Sequence, residues 1–136
     1  MNNLIWKYAD SLPEANELDV IEVQYGFCIP KDLKTCLTVN NGGMPNKTRV
    51  PLKDGGEVVF GYLISFSSEE VEDFYDILES FGLCSNGQLS VFPFACDPTG
   101  NLFCAGDNGI VFLDHETDEM FRICDTFTQL LEKLVD

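Results

Sequence analysis

The chain has 136 residues, of which 45% are hydrophobic and eleven are phenylalanine, and its formal net charge is −15. Its length is typical of one domain with a sizeable core, and no run approaches the roughly 18 apolar residues of a membrane span. Residues 54–121 hold fourteen carboxylates and no lysine or arginine, which argues against nucleic acid or an anionic membrane as the partner of that half.

Two helices are predicted in the first third of the chain. Pro13 is placed to be the first residue of one helix, and Gly26 is placed to end it. Pro30 opens the second helix, which stops at the Asn-Asn-Gly-Gly run 40–43 because these residues tolerate left-handed backbone. The residues expected on the inner faces are Leu18, Ile21, Tyr25, Leu33, Cys36 and Leu37.

The middle of the chain predicts two β segments, 50–52 and 57–66, followed by a third helix. Ser67 and Glu70 have the spacing of a capping box at its start, and Gly82 ends it. An apolar face is indicated by the helical spacing of Val71, Phe74, Tyr75 and Leu78. The opposite, solvated face is predicted to carry Glu69, Glu72, Asp73, Asp76 and Glu79.

The second half reads as an antiparallel meander of segments 89–95, 101–105, 110–113 and 120–124. Tight turns are predicted at 97–100 and 107–109, and a polar corner at 114–119. Asp125 is expected to cap a last helix, whose apolar stripe is Phe127, Leu130, Leu131 and Leu134. The order α-α-β-β-α-β-β-β-β-α predicts a single α+β domain over residues 1–136, with N-terminal, middle and C-terminal helices packed on a twisted, mainly antiparallel sheet.

The sequence indicates no catalytic, cofactor-binding or metal-binding residues. His115 is the only histidine, and neither it nor the six cysteines match a zinc spacing or a recognisable nucleophilic pair. The corner and its flanks lack the glycine and the final glutamate of a calcium loop. A glycosidase-like carboxylate pair stays open, although with fourteen acids in one half some pair will lie close by chance.

The compartment expected from the sequence is the cytosol. The first ten residues contain no apolar run of the secretory type. The cysteines at positions 28, 36, 84, 96, 104 and 124 form no CxxC pair, so we expect free thiols that mostly pack as small hydrophobic side chains.

Four segments resemble the signatures of the SUKH superfamily, a group related to a fungal regulator of cell-wall synthesis and abundant in bacteria. They cover the chain from about residue 14 to its end. The first is 21–43, with Gly26, Ile29-Pro30-Lys31-Asp32 and Asn41-Gly42-Gly43. The others are Pro93 to Asn101, then Gly109 to Glu116 with its Asp114-His115-Glu116, and Ile123 to Leu131.

The resemblance implies a non-enzymatic α+β binding domain, most often an immunity protein that neutralises a cognate toxin in the cytosol. The charge independently favours a basic partner, such as a nuclease toxin, and we expect a monomer or weak homodimer without a cofactor. The residues expected to contact the toxin are Glu69, Glu72, Asp73, Asp76, Asp114, Glu116, Asp118 and Glu119. Two alternatives are a regulatory scaffold that binds host proteins and a thiol- or metal-dependent enzyme.

Overall fold

A computed structural model describes residues 4–136, so the first three residues of the N-terminal segment lie outside it. The helices are α1 (Glu17–Tyr25), α2 (Lys31–Val39), α3 (Val71–Phe81) and α4 (Phe127–Lys133). The strands are β1 (Trp6–Lys7), β2 (Met44–Pro45), β3 (Arg49–Pro51), β4 (Glu57–Val59), β5 (Tyr62–Leu63), β6 (Cys84–Ser85), β7 (Gln88–Leu89), β8 (Phe92–Cys96), β9 (Leu102–Gly106), β10 (Gly109–Leu113) and β11 (Met120–Cys124).

The main sheet has five antiparallel strands in the order β11-β10-β9-β8-β5. Three further antiparallel pairs, β1–β2, β3–β4 and β6–β7, lie outside it. Four helices and antiparallel strands confirm the α+β class. The predicted element order was incomplete. It missed the two-residue strands β1, β2 and β6, which are too short to produce a periodic pattern, and its segment 89–95 merged the end of β7 with β8.

Aromatic rings connect the main sheet to the helices. Phe94 contacts Phe127 of α4, and Phe92 contacts Phe74 of α3. On neighbouring strands, Phe103 packs on Phe112 in the sheet register. All five residues of β8 are buried, which explains why this strand is a continuous apolar run rather than an alternating one.

The predicted strand 57–66 is divided between two sheets. Its first part, β4, pairs with β3, and its second part, β5, pairs with β8. Gly61 lies at the division, and a Cβ atom there would stand 2.6 Å from the carbonyl oxygen of Cys96. Only glycine therefore lets the chain pass so close to β8. The chain leaves β5 at Ile64, whose N–H donates to the carbonyl of Phe94.

The predicted start of the first helix is wrong. Helix α1 begins at Glu17 rather than at Pro13, and its N-cap is Asn16. The Asn16 side chain accepts a hydrogen bond from the N–H of Leu18, and the Asp19 carboxylate accepts one from the Asn16 N–H. Asn satisfies an orphan helix donor in a way that Pro13 cannot. Gly26 ends α1 with a φ of 61°, as predicted.

Two other predicted helix starts are also wrong. The capping box of Ser67 and Glu70 does not form, because α3 begins at Val71 and the Glu70 carboxylate accepts from the Ser67 hydroxyl instead of from its backbone. Thr126, rather than Asp125, caps α4 and accepts from the N–H of Gln129. Gly82 ends α3 in the left-handed region, as predicted.

Candidate functional site

A groove of about 260 Å³ lies between the N-terminal segment, β5 and α3. We call this cavity the acidic groove. Its lining includes six residues with side chains suited to binding a ligand: Tyr8, Asp10, Tyr62, Ser65, Glu70 and Asp73. No lysine, arginine or histidine of the described residues lines it. The groove is therefore a concave site with three carboxylates and no compensating cation.

A neighbouring depression of about 480 Å³ extends this negative surface. It shares Asp10, Asn41 and Glu70 with the groove and adds the carboxylates of Glu17 and Glu69. Within the part of the chain that the structure describes, no basic side chain lines this depression either. The two cavities together present five carboxylates.

Asn41 forms the base of the groove and is only 4% exposed. Its side-chain oxygen accepts a hydrogen bond of 2.7 Å from the N–H of Phe66, and its Nδ2 donates to the hydroxyl of Ser65 at 3.0 Å. Its backbone exchanges two hydrogen bonds with Asp10, of 3.1 and 2.9 Å. The side chain and the backbone of one buried residue thus join three segments that border the groove.

The Glu70 carboxylate is held in place by two hydroxyl groups. The Ser65 Oγ donates to its Oε1 at 2.9 Å, and the Ser67 Oγ donates to the same oxygen at 3.2 Å. Neither donor is a cation, so Glu70 keeps its negative charge available to a ligand. A carboxylate that is already oriented loses less conformational entropy when it binds.

Two tyrosines stand at the mouth of the groove. Tyr8 is 81% exposed and Tyr62 is 44% exposed. The neighbouring Cys96, partial burial and the Asp73 carboxylate raise the pKa of Tyr62 to about 12. Tyr62 is therefore a neutral phenol at physiological pH, and it offers an aromatic face and a hydroxyl near the Asp73 carboxylate.

Helix α3 presents its acids to solvent, as its sequence predicts. Val71, Phe74 and Leu78 are buried, whereas Glu72, Asp73 and Asp76 are exposed. Of these exposed acids only Asp73 lines the groove. Glu69 is exposed in the turn before the helix rather than on the helix itself, and it lines the neighbouring depression.

The polar corner at 114–119 is a tight turn between β10 and β11. The Asp114 N–H donates to the Glu119 carbonyl at 2.9 Å, and the Asp114 carboxylate accepts from the Glu116 N–H at 2.8 Å. Asp118 adopts a φ of 58°, a conformation that aspartate tolerates better than most residues. Glu116, Asp118 and Glu119 are exposed, and Asp114 is partly buried.

The groove and the corner lie at the same end of the main sheet. Paired residues define this end across its five strands: Tyr62, Cys96, Leu102, Leu113 and Met120. The groove is lined by the first two of them, and the corner joins the last two. Adjacent strands are about 4.8 Å apart, so β8 and β10 are separated by about 10 Å at this end.

The chain matches the model of the SMI1 / KNR4 family (SUKH-1) over residues 13–133. It is a member of the SUKH-1 family. This confirms the resemblance found in its four sequence segments. Comparisons with curated proteins and with solved structures give no significant match.

The SUKH-1 signature segments are connected to each other by hydrogen bonds. The Asp32 carboxylate of the first segment accepts from both the N–H and the hydroxyl of Thr128 in the closing helix, at 2.9 and 2.8 Å. In the second segment, the Asp97 carboxylate accepts from the Asn101 N–H at 2.8 Å. The Asn101 side chain then accepts from the N–H of His115 in the third segment at 2.9 Å. These polar residues hold the fold together.

All six cysteines of this SUKH-1 protein are free thiols. Cys28 and Cys84 are exposed, whereas burial raises the pKa of Cys104 far above its ordinary value and that of Cys36 to about 11. A thiol with a raised pKa is a poor nucleophile at neutral pH. Among residues 4–136, no three His, Cys, Asp or Glu side chains come together as a metal-binding group.

Sequence reasoning placed Asp73 in the binding surface but missed the other five of the six residues in the acidic groove that suit ligand binding; it also named Glu69, which lines the neighbouring depression. Asp10, Tyr62 and Glu70 come from three different segments, and no spacing rule connects them. Tyr62 did carry a usable signal, because an aromatic residue with a polar end stood beside Gly61 in an otherwise apolar run.

In the described residues no helix is long and apolar enough to cross a bilayer.

Proposed function

We propose that this SUKH-1 protein is an immunity protein that binds and neutralises a cognate toxin in the cytosol. In this proposal the toxin is a basic protein of the nuclease type, and the acidic groove and the acidic corner at one end of the main sheet recognise it. Membership of the family supports a binding role of this kind. The observation that carries the proposal is the concave acidic groove, which combines carboxylates and exposed tyrosines without a cation of its own.

The chemistry of the groove suits an arginine or lysine side chain of the toxin. Carboxylates accept charge-assisted hydrogen bonds from such a cation, and a guanidinium group can contact two carboxylate oxygens at once. The rings of Tyr8 and Tyr62 add a surface on which a cation can stack. Tyrosine and arginine are also the residues that most often dominate the energy of protein interfaces.

The acids outside the groove have a different role in this proposal. Glu72 and Asp76 on α3 and Glu69 before it are exposed, and none of them forms an ion pair among the described residues. The corner residues Asp114, Glu116, Asp118 and Glu119 extend the negative field at the same end of the sheet. Exposed charges of this kind mainly increase the association rate, up to about 10⁸–10⁹ M⁻¹s⁻¹. Speed protects a cell because a nuclease causes damage as soon as it arrives.

The direct test is co-expression with the toxin encoded by the gene beside that of this chain. We expect the chain to restore growth and to inhibit the purified toxin at a one-to-one ratio. A stable complex that leaves the toxin fully active would instead favour a scaffold. Absence of both binding and protection would refute the proposal. The variants Cys104→Ala and His115→Ala should protect as well as the unmodified protein, because neither side chain belongs to the groove.

A further inference from the structure

A second groove, of about 390 Å³, lies at the opposite edge of the main sheet. It runs between β11, the β3–β4 turn and the end of α4. Its apolar lining is Pro51, Leu52, Phe121 and Ile123, and its charged lining is Lys53, Asp54, Arg122 and Lys133. We call it the edge groove.

One wall of the edge groove is an open strand edge. In the sheet order β11 comes last and has only β10 as a neighbour. Met120, Phe121 and Arg122 are exposed, and 39% of the large Phe121 side chain is accessible. Among residues 4–136, no backbone hydrogen bond joins β11 to another strand on its outer side. Unpaired N–H and C=O groups on such an edge can pair with an added strand.

The edge groove also collects cations in a strongly acidic chain. Three of the eight lysines and arginines line it, against the single carboxylate of Asp54. Lys53 and Lys133 have no carboxylate within 4.0 Å among the described residues. Asp54 accepts a hydrogen bond of 2.9 Å from the Gly56 N–H. The two lysines are therefore free to meet an anionic ligand.

Arg122 is already engaged at the edge of the groove. It forms an ion pair with Asp125, and its Nε donates to the Asn108 carbonyl at 2.8 Å. A neighbouring depression of about 320 Å³ shares the three cations and adds the carboxylates of Asp125 and Glu132. The cations without an ion pair in the edge groove are therefore Lys53 and Lys133, which also line this depression.

We propose that the edge groove binds an extended, acidic segment of a partner protein, which adds to β11 as a further strand. Alternate side chains of that segment point to one face, so its apolar residues pack against Leu52 and Phe121. Its carboxylates then reach Lys53 and Lys133. Main-chain pairing supplies affinity in this mode of recognition, and the side-chain pockets supply specificity.

Charge argues for this occupant over a second copy of the chain. Two copies would each bring a net charge of −15. Symmetric antiparallel pairing about the middle of β11 would also place Arg122 opposite its own copy, and like charges directly opposite each other destabilise a sheet. The edge groove and the acidic groove thus accept partners of opposite charge. This inference does not depend on the toxin-binding proposal.

The test uses a capped peptide of about eight residues, the length of an ordinary strand, in which glutamate alternates with valine. Amide chemical shifts of the full chain report where it binds. We expect shifts concentrated at residues 120–123, and we expect Lys53→Glu with Lys133→Glu to weaken binding about tenfold or more. The matched control is Lys7→Glu with Lys31→Glu, two exposed lysines outside the groove, which should keep most of the affinity.

Three outcomes would overturn the inference. The first is a set of shifts that avoids β11. The second is shifts of equal size at β11 with a peptide in which lysine replaces each glutamate. The third is concentration-dependent dimerisation, measured by sedimentation, that Phe121→Asp abolishes. This result would show that a second copy of the chain occupies the edge groove. Protection against the toxin provides a separate readout, and it should be unchanged in the Lys53→Glu and Lys133→Glu variant.

Discussion

The hydroxyl of Ser65 donates a hydrogen bond of 2.9 Å to the carboxylate of Glu70 in the acidic groove. The same hydroxyl accepts a hydrogen bond from the buried side chain of Asn41 at 3.0 Å. A short chain of polar contacts thus runs from the protein interior to an anionic group at the surface. It fixes the orientation of Glu70 before a ligand arrives, which reduces the entropic cost of binding.

Replacing Asn41 with alanine should destabilise the fold. The substitution leaves the Phe66 N–H without its acceptor, and an unsatisfied buried donor costs about 1–3 kcal/mol. Chemical denaturation measures the change in the free energy of unfolding. Asn108→Ala is the control, because Asn108 is exposed and surface changes usually stay within about 0.5 kcal/mol. Equal stability of the two variants would contradict the role given to Asn41.

Asp97 should make stability depend on pH in the acid range. Burial alone would raise its pKa, but hydrogen bonds from Asn101 and Thr99 lower it overall. A carboxyl whose pKa is lower in the folded state stabilises the protein above its unfolded pKa of about 3.9, and this contribution is lost as the pH falls below that value.

The variant Asp97→Asn isolates this contribution from the other carboxylates. It should be less stable than the unmodified protein by about 1–3 kcal/mol at pH 7, since hydrogen bonds to a charged group are lost. The difference in the free energy of unfolding should shrink toward zero as the pH falls below the folded pKa. A difference that stays constant over the same pH range would contradict the assignment.

Thiol labelling should divide the six cysteines into accessible and protected groups. Cys28 and Cys84 are exposed and should react with a maleimide first at neutral pH. Cys104 should react only after unfolding, because burial raises its pKa and blocks access. Mass spectrometry of native and denatured samples gives the count. Rapid labelling of Cys104 in the native protein would contradict the burial of its thiol in β9.

The exposed acids of α3 should control how quickly the toxin associates. Neutralising Glu72, Asp73 and Asp76 together with Gln and Asn should lower the association rate severalfold and flatten its dependence on salt. Stopped-flow mixing with the toxin of the neighbouring gene measures both. A charge-matched control is Asp107→Asn with Glu132→Gln and Asp136→Asn, three exposed acids outside α3. If neither quantity changes in the α3 variant, that helix face takes no part in docking.

Local patterns in the sequence predicted the helices well. Val71, Phe74 and Leu78 repeat at helical spacing and are buried, and Gly26 and Gly82 end their helices with positive φ. Helix starts were less predictable, because several polar residues near each start could serve as the cap. The N-cap is Asn16 rather than Pro13, and it is supported by the Asp19 carboxylate, which accepts a hydrogen bond from the Asn16 backbone. Only the three-dimensional structure reveals this contact.

The candidate site was less predictable than the fold, for a physical reason. Helical periodicity identified Asp73 because it depends on residues close in sequence. The acidic groove depends instead on Asn41, which brings Asp10 and Ser65 together across the chain. Contacts between distant segments leave no repeating pattern in one sequence. The proximity of Lys53 and Lys133 in the edge groove was not predicted from the sequence, for the same reason.

The central claim is that the acidic groove binds a basic side chain of the toxin. The measurement that tests it most directly is the Kd of the toxin for the variant Asp10→Asn with Glu70→Gln, compared with Glu79→Gln with Asp107→Asn. Both variants remove two negative charges. Loss of a contact in the groove should cost about 2 kcal/mol or more, or about 30-fold in Kd, mostly through faster dissociation. The control should change by less than about threefold. Equal Kd values for the two variants would contradict the account.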